Sequence, residues 1–155
     1  MSSSNPPILE ATLKVWAETG RHNLIPVKGT SMYPSLRPGD VTLIVHGYEK
    51  FRAGDILVYR SGDQVVIHRF LRWLPDGTLL MAGDNRQFVD TPIPVSAVLG
   101  RVISVITPSG QFSLETCGVR AFGRMLVTCF PFRGRRGLRR VLAWLFALAA
   151  WILRR

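Results

Sequence analysis

The chain has 155 residues and a formal net charge of +10, from 20 Lys and Arg against 10 Asp and Glu. This length accommodates one domain with its own hydrophobic core plus a tail, and we expect no second independent domain. The only cysteines, Cys117 and Cys129, are too few for a disulfide framework and lack metal-ligand spacing. We therefore expect no disulfide scaffold, no metal and no cofactor.

The N-terminal segment, residues 1–22, predicts a short amphipathic helix over residues 8–18. Its apolar residues, including Leu9, Leu13 and Trp16, fall roughly on one helical face, and Gly20 provides a stop. Residues 1–7 are polar and no long apolar run follows them. We expect neither a cleavable signal peptide nor an N-terminal membrane anchor.

The central segment, residues 23–115, has the pattern of an antiparallel β domain. Short runs of β-branched and aliphatic residues alternate with Gly-Asp, Asp-Gly and Ser-Gly turn signals. We predict seven strands, over residues 24–27, 41–45, 56–59, 65–73, 78–82, 98–106 and 111–114. The expected fold class is mainly β, with the short N-terminal helix and one or two C-terminal helices.

The tail, residues 116–155, is both basic and apolar. It contains nine Arg and no acidic residue, whereas residues 1–115 are nearly neutral. Residues 119–130 predict an amphipathic helix that ends before Pro131. The uncharged run 141–153 would span only about 20 Å as a helix, less than the roughly 30 Å of a membrane core. It therefore predicts an interfacial helix and a membrane-associated protein.

Other interpretations of the tail remain open. Residues 141–153 could pack against the protein itself or against another copy. Arginines flank this run on both sides, so the sequence leaves open on which side of a membrane the domain lies. The uncharged run favours lipid as the partner over nucleic acid, for which we expect no specific binding.

A glycine- and proline-rich loop, residues 29–40, presents Ser31 as a candidate nucleophile. Glycine before the serine and the two prolines after it restrict the path of the chain. A serine hydroxyl requires a neighbouring base near neutral pH. Lysine does not occur after Lys50, so the near-neutral bases along the chain are three histidines: His22, His46 and His68.

His68 differs from the other two histidines because it lies on a predicted strand, where alternation directs it to one face and Ile67 and Arg69 to the other. A carboxylate could orient its imidazole. The segment that follows the fifth strand offers two, Asp84 in a tight turn and Asp90 six residues later. Turn aspartates commonly bond their own backbone, so Asp84 has a structural explanation that Asp90 lacks.

Four segments resemble, in order, the sequence boxes of the signal peptidase I superfamily. They are residues 29–40 (GTSMYPSLRPGD), 52–59 (RAGDILVY), 66–69 (VIHR) and 83–85 (GDN) with Asp90. The usual bacterial members have a Ser/Lys dyad, and the endoplasmic reticulum and archaeal type has histidine at the lysine position. Because His68 occupies that position, the chain resembles the Ser/His/Asp branch.

The resemblance implies a serine endopeptidase that cleaves extended leader or signal segments of a polypeptide. Ser31 would be the nucleophile, His68 the general base and Asp90 the orienting acid, while Asp84 supports its turn. Gly29 stands where some bacterial relatives carry an additional serine that stabilises the oxyanion, so the backbone around Gly29 and Ser31 would bind the oxyanion. The candidate walls of the substrate pocket are Ile25, Met32, Val66 and Met81.

Two alternative functions remain open. Self-cleaving SOS repressors share this fold, but they resemble Ser/Lys enzymes that cut an Ala-Gly or Cys-Gly bond upstream of the serine. Residues 1–30 contain no such bond. The second alternative is a non-enzymatic β module that binds membranes through its basic tail.

Overall fold

The computed structural model describes residues 22–47 and 50–132. Within these residues the chain forms a seven-stranded antiparallel sheet followed by one α-helix. The elements in chain order are β1 (His22–Pro26), β2 (Val41–Val45), β3 (Ile56–Ser61), β4 (Gln64–Trp73), β5 (Leu79–Ala82), β6 (Val98–Thr107), β7 (Gly110–Ser113) and α1 (Cys117–Cys129). Every predicted strand is present, with ends that differ by at most two residues.

The order of strands along the sheet is β1-β2-β6-β3-β4-β5, and β7 pairs with the end of β6. β6 therefore separates the β1–β2 pair from the β3–β4–β5 meander. Three of the connections are hairpins, and glycines with positive φ lie in or beside their turns, such as Gly62 (φ 58°) and Gly77 (φ 79°). L-residues with a side chain rarely adopt this conformation, so the turn signals in the sequence fix where these strands reverse.

The sheet carries one apolar cluster on each face because side chains alternate along β3. Ile56 and Val58 enter the first cluster, whereas Leu57 and Tyr59 enter the second. The other buried members of the first cluster are Val27, Met32, Leu36, Ile44, Val102 and Val105. Those of the second are Phe51, Phe70, Leu79, Met81 and Ile93.

Helix α1 packs through a glycine against the turn that precedes β3. A Cβ added at Gly123 would lie 2.9 Å from the carbonyl oxygen of Gly54, so the helix backbone approaches this turn closely. Leu126, on the same side of the helix, is also buried. The predicted helix 119–130 is thus present and begins two residues earlier.

The remaining helical predictions fall on residues that the structure does not describe. The predicted N-terminal helix, residues 8–18, and the apolar run 141–153 both lie outside 22–47 and 50–132. Among the described residues, no helix is both long and apolar enough to cross a membrane.

Candidate active site

Ser31 lies in the loop between β1 and β2, and this loop is anchored by buried side chains. Met32 and Leu36 are almost completely buried in the first apolar cluster. The Tyr33 N–H donates to the Thr30 carbonyl (3.1 Å) and the Leu36 N–H to the Met32 carbonyl (2.9 Å). Ser31 itself is half-buried. The loop therefore holds Ser31 at a defined point at the edge of the core.

His68 reaches the site from the middle of β4. Its register partner on β3 is Leu57, and the next pair on the same face is Tyr59 with Val66. Directly opposed residues of an antiparallel pair share a face, so His68 and Tyr59 project to the same side of the sheet. The rings of these two residues contact each other edge to face, with centroids 6.2 Å apart.

The carboxylate of Asp90 joins His68 and Tyr59. Its Oδ2 atom lies 2.6 Å from Nδ1 of His68 and accepts a hydrogen bond of 2.8 Å from the Tyr59 hydroxyl. The backbone N–H of Asp90 donates to the Met81 carbonyl on β5 (2.8 Å). Side chains from β3 and β4 thus meet at one carboxylate oxygen, and β5 holds the backbone of the same residue. The histidine at this contact is only 6% exposed.

The turn that follows β5 connects the serine loop with His68. A Cβ added at Gly83 would lie 2.6 Å from the Ser31 carbonyl oxygen and 3.0 Å from Nε2 of His68. The backbone N–H of Asn85 donates to the same carbonyl of Ser31 (2.7 Å), and its side-chain amide donates to the Thr30 carbonyl (3.2 Å). The Ser31 backbone and Nε2 of His68 therefore flank the same small volume over Gly83.

Asp84 pairs with Arg69 on the other face of the sheet. Nε and Nη2 of Arg69 donate to the two carboxylate oxygens of Asp84 at 2.8 and 2.7 Å. Nη1 donates to the Gly54 carbonyl (2.6 Å), and Nη2 donates to Oγ of Ser35 in the serine loop (3.3 Å). This buried guanidinium ties together the serine loop, the Gly54 turn and the Asp84 turn.

Burial raises the pKa of Tyr59 far above the ordinary tyrosine value of 10.0. The hydrogen bond to Asp90 and the negative charge of Asp90 act in the same direction. In the folded domain the phenol therefore stays protonated well above pH 10, and it acts as a hydrogen-bond donor to the carboxylate.

A comparison with protein families matches residues 6–103 to the family described as Peptidase S24-like, which is well over half of the chain. The chain belongs to the Peptidase S24-like family. A search of curated proteins found no match. The S24-like domain is part of the serine peptidase superfamily that contains both SOS repressors and signal peptidases, so the predicted superfamily is confirmed.

Family membership makes the chain a serine peptidase domain with a polypeptide substrate. The S24 family also includes self-cleaving repressors. The matched residues start at residue 6, inside the N-terminal segment, and end within β6. They include every segment that resembles a signal peptidase box.

The structure brings three predicted site residues of this peptidase domain close together. The Ser31 backbone and Nε2 of His68 flank the volume over Gly83, and Asp90 contacts Nδ1 of the same His68 ring. The other two candidate bases lie elsewhere. His22 is exposed at the start of β1, and Nδ1 of the buried His46 lies 2.8 Å from the Leu99 carbonyl oxygen. The catalytic roles of Ser31, His68 and Asp90 remain predictions.

The predicted pocket residues occupy different environments. Met32 and Met81 are at most 1% exposed and belong to the two different apolar clusters. Ile25 and Val66 are partly buried at the margins of these clusters. Gly29 is exposed, with open space where a side chain would begin. The assignment of these residues to a pocket or an oxyanion site remains a prediction.

Three residues of the site were not singled out by the sequence pattern, namely Tyr59, Arg69 and Asn85. For Tyr59 a signal was available. Hairpin pairing of the two strands around Gly62-Asp63 puts Tyr59 on the same face as His68. For Arg69, the alternation predicted only that it faces away from His68, and the partners on that face come from distant loops.

Proposed function

We propose that this S24-like domain is a serine endopeptidase of the signal peptidase type, with Ser31, His68 and Asp90 as its catalytic residues. The observation that carries the proposal is the 2.6 Å contact between Nδ1 of His68 and Asp90, with Nε2 of the same ring beside the Ser31 backbone. An imidazole held by a carboxylate at one nitrogen presents the other nitrogen as a base.

The proposed reaction is acyl transfer. Oγ of Ser31 attacks the scissile carbonyl carbon and gives its proton to Nε2 of His68, which passes the proton to the leaving amine. Water then attacks the acyl-enzyme, again with His68 as base, and releases Ser31 with its proton restored. Backbone N–H groups around Ser31 and Gly29 would stabilise the oxyanion, since position 29 has no side chain to do so.

The sheet favours one edge for an extended substrate. β5, at one end of the sheet, is already paired through Leu79 with Ile93. Among the strands of residues 22–47 and 50–132, β1 is the last at the other end of the sheet, and it leads directly into the serine loop. A substrate that adds as a strand beside β1 would pass the loop that carries Ser31.

Two substitutions and a control test this proposal. We expect Ser31→Ala and His68→Ala to abolish hydrolysis of a leader peptide, and Ser31→Ala to abolish labelling by a fluorophosphonate. His22→Ala is the matched control and should retain both activities, because the exposed His22 side chain is not needed for a substrate strand that pairs with the backbone of β1. Circular dichroism would verify that each variant is folded. Full activity of His68→Ala would refute the proposed mechanism.

Self-cleavage is a second candidate because the S24 family includes self-cleaving repressors. The same serine and histidine would act on an upstream bond of the chain itself. Purified protein would then yield a shortened product at a rate independent of protein concentration, and Ser31→Ala would not. A stable chain that cleaves an added leader peptide would exclude this candidate.

We further propose that the basic tail associates the domain with membranes. The support is compositional, because residues 133–155 combine seven arginines with the uncharged run 141–153. Sedimentation with anionic vesicles would compare the full chain with a chain that ends at residue 132, which retains α1. Equal sedimentation of the two proteins would contradict membrane association through residues 133–155.

A further inference from the structure

Tyr59 occupies a rigid position behind the candidate catalytic residues. It lies in the centre of β3, is 2% exposed, and packs in the second apolar cluster with Leu57, Phe70 and Met81. β3 is bonded to β4 on one side and β6 on the other. A buried ring on a strand that is paired on both edges has little freedom to move.

The Tyr59 hydroxyl meets the same carboxylate oxygen as His68. It donates to Oδ2 of Asp90 at 2.8 Å, while Nδ1 of His68 lies 2.6 Å from that oxygen. The hydroxyl and Nδ1 are 3.4 Å apart. Two donors therefore share Oδ2 as their acceptor, and each restricts the positions that this oxygen can occupy.

The position of the Asp90 carboxylate depends more on side-chain hydrogen bonds than the position of His68 does. His68 is fixed by β4, whereas Asp90 follows a segment in which Phe88 is 81% and Val89 is 45% exposed. The bond from the Asp90 N–H to Met81 holds the backbone, but it leaves the side-chain torsions of Asp90 undetermined. The hydrogen bond from the buried phenol of Tyr59 restrains these torsions.

We propose that Tyr59 is a positioning residue of the peptidase, which acts by holding Oδ2 of Asp90 against Nδ1 of His68. This inference rests on the proposed function of Ser31, His68 and Asp90. The held carboxylate keeps the proton of the neutral imidazole on Nδ1, and Nε2 remains the acceptor for the Ser31 proton. Tyr59 itself touches neither the substrate nor the reacting atoms.

The first test is Tyr59→Phe, which removes the hydroxyl and keeps the ring. We expect kcat for a leader peptide to fall by about tenfold to a hundredfold, the scale of a small misplacement in a catalytic array, with KM unchanged. Thr107→Val is the matched control. It also removes the hydroxyl of a buried strand residue, but this hydroxyl donates to the Gly110 carbonyl (2.9 Å) in the β6–β7 hairpin and takes no part in the site. Unchanged kcat in Tyr59→Phe would overturn the inference.

A double-mutant cycle distinguishes positioning from a general effect on the fold. If Tyr59 acts through Asp90, Tyr59→Phe should have no further effect on kcat in a protein that already carries Asp90→Ala. An equal fold loss in both backgrounds would show that the hydroxyl acts independently of Asp90, and would overturn the inference.

A third measurement does not depend on activity or on the folding of Tyr59→Phe. Incorporating 3-fluorotyrosine at position 59 makes the phenol a stronger donor with almost no change in shape. Because both donors share Oδ2, the bond from His68 should weaken, and the NMR signal of its Nδ1 proton should move upfield. Fluorotyrosine at position 33 should leave the signal unchanged. The absence of a shift with fluorotyrosine at position 59 would overturn the inference.

The two proposals fail in different ways. If wild-type protein neither cleaves peptides nor reacts at Ser31 with a fluorophosphonate, the proposed function is wrong, and the NMR measurement still decides whether Tyr59 positions Asp90 against His68. If the wild-type protein is active and Tyr59→Phe is equally active, only the role of Tyr59 is wrong.

Discussion

Replacing Gly83 with alanine should push the serine loop away from His68. In Gly83→Ala the new Cβ would lie 2.6 Å from the Ser31 carbonyl oxygen, 2.9 Å from Cγ of Arg86 and 3.0 Å from Nε2 of His68. The Arg86 contact can be relieved because that side chain is exposed and flexible. The other two contacts are with a backbone atom and with a ring packed in the sheet.

The size of the effect follows from these distances. A carbon normally approaches a carbonyl oxygen to about 3.3 Å, so the Ser31 carbonyl must move by about 0.7 Å or the turn must move away. The same carbonyl accepts the bond from the Asn85 N–H, which would be strained by either movement. A misplacement of about 1 Å in a catalytic array costs up to about a hundredfold in rate. We expect kcat/KM to fall between about 10-fold and 100-fold.

The assay is cleavage of a leader peptide together with the rate of fluorophosphonate labelling of Ser31. Gly118→Ala is the matched control, because Gly118 is exposed in the first turn of α1 and an added Cβ meets no atom within 4 Å. It should keep full activity and gain slightly in stability. If Gly83→Ala were fully active and equally stable, Gly83 would not be the point of contact between Ser31 and His68.

Two further predictions concern stability. Arg69→Met should lower the free energy of unfolding by about 3–5 kcal/mol, because it leaves the carboxylate of Asp84 buried without its guanidinium; a loss below about 1 kcal/mol in urea unfolding would contradict this. Since the folded state raises the pKa of Tyr59 above 10.0, the stability from its protonated form is complete below pH 10 and declines above it. The decline is at most about 1.4 kcal/mol per pH unit. Tyr59→Phe should lose this part of the slope, whereas Tyr33→Phe should keep it.

The sequence predicted the parts of the fold that depend on neighbouring residues. Alternation of side chains identified all seven strands, and the turn signals around Gly62 and Gly77 located two of the hairpins. Both signals are local, because a strand needs a period of two and a tight turn needs a residue that tolerates positive φ. Four short segments in the right order also predicted the correct superfamily.

The order of strands could not be predicted in this way. β6 pairs with both β2 and β3, which lie more than 35 residues before it in the chain. Such pairings depend on burying the apolar side chains of both faces of the sheet together. The residues of one strand do not identify which distant strand pairs with it. The same limit applies to Met32 and Met81, whose apolar character fits a pocket wall as well as the core in which they are buried.

By itself, then, the sequence determined which residues are candidates for the chemistry, because Ser31, His68 and Asp90 are recognised by residue type and by local setting. Only the tertiary structure decided how they are held. It joined Tyr59 to Asp90 and brought the Gly83 turn against the Ser31 backbone. The physical reason is that hydrogen bonds and close contacts of this kind form between residues that are distant in the chain and meet only when the sheet has assembled.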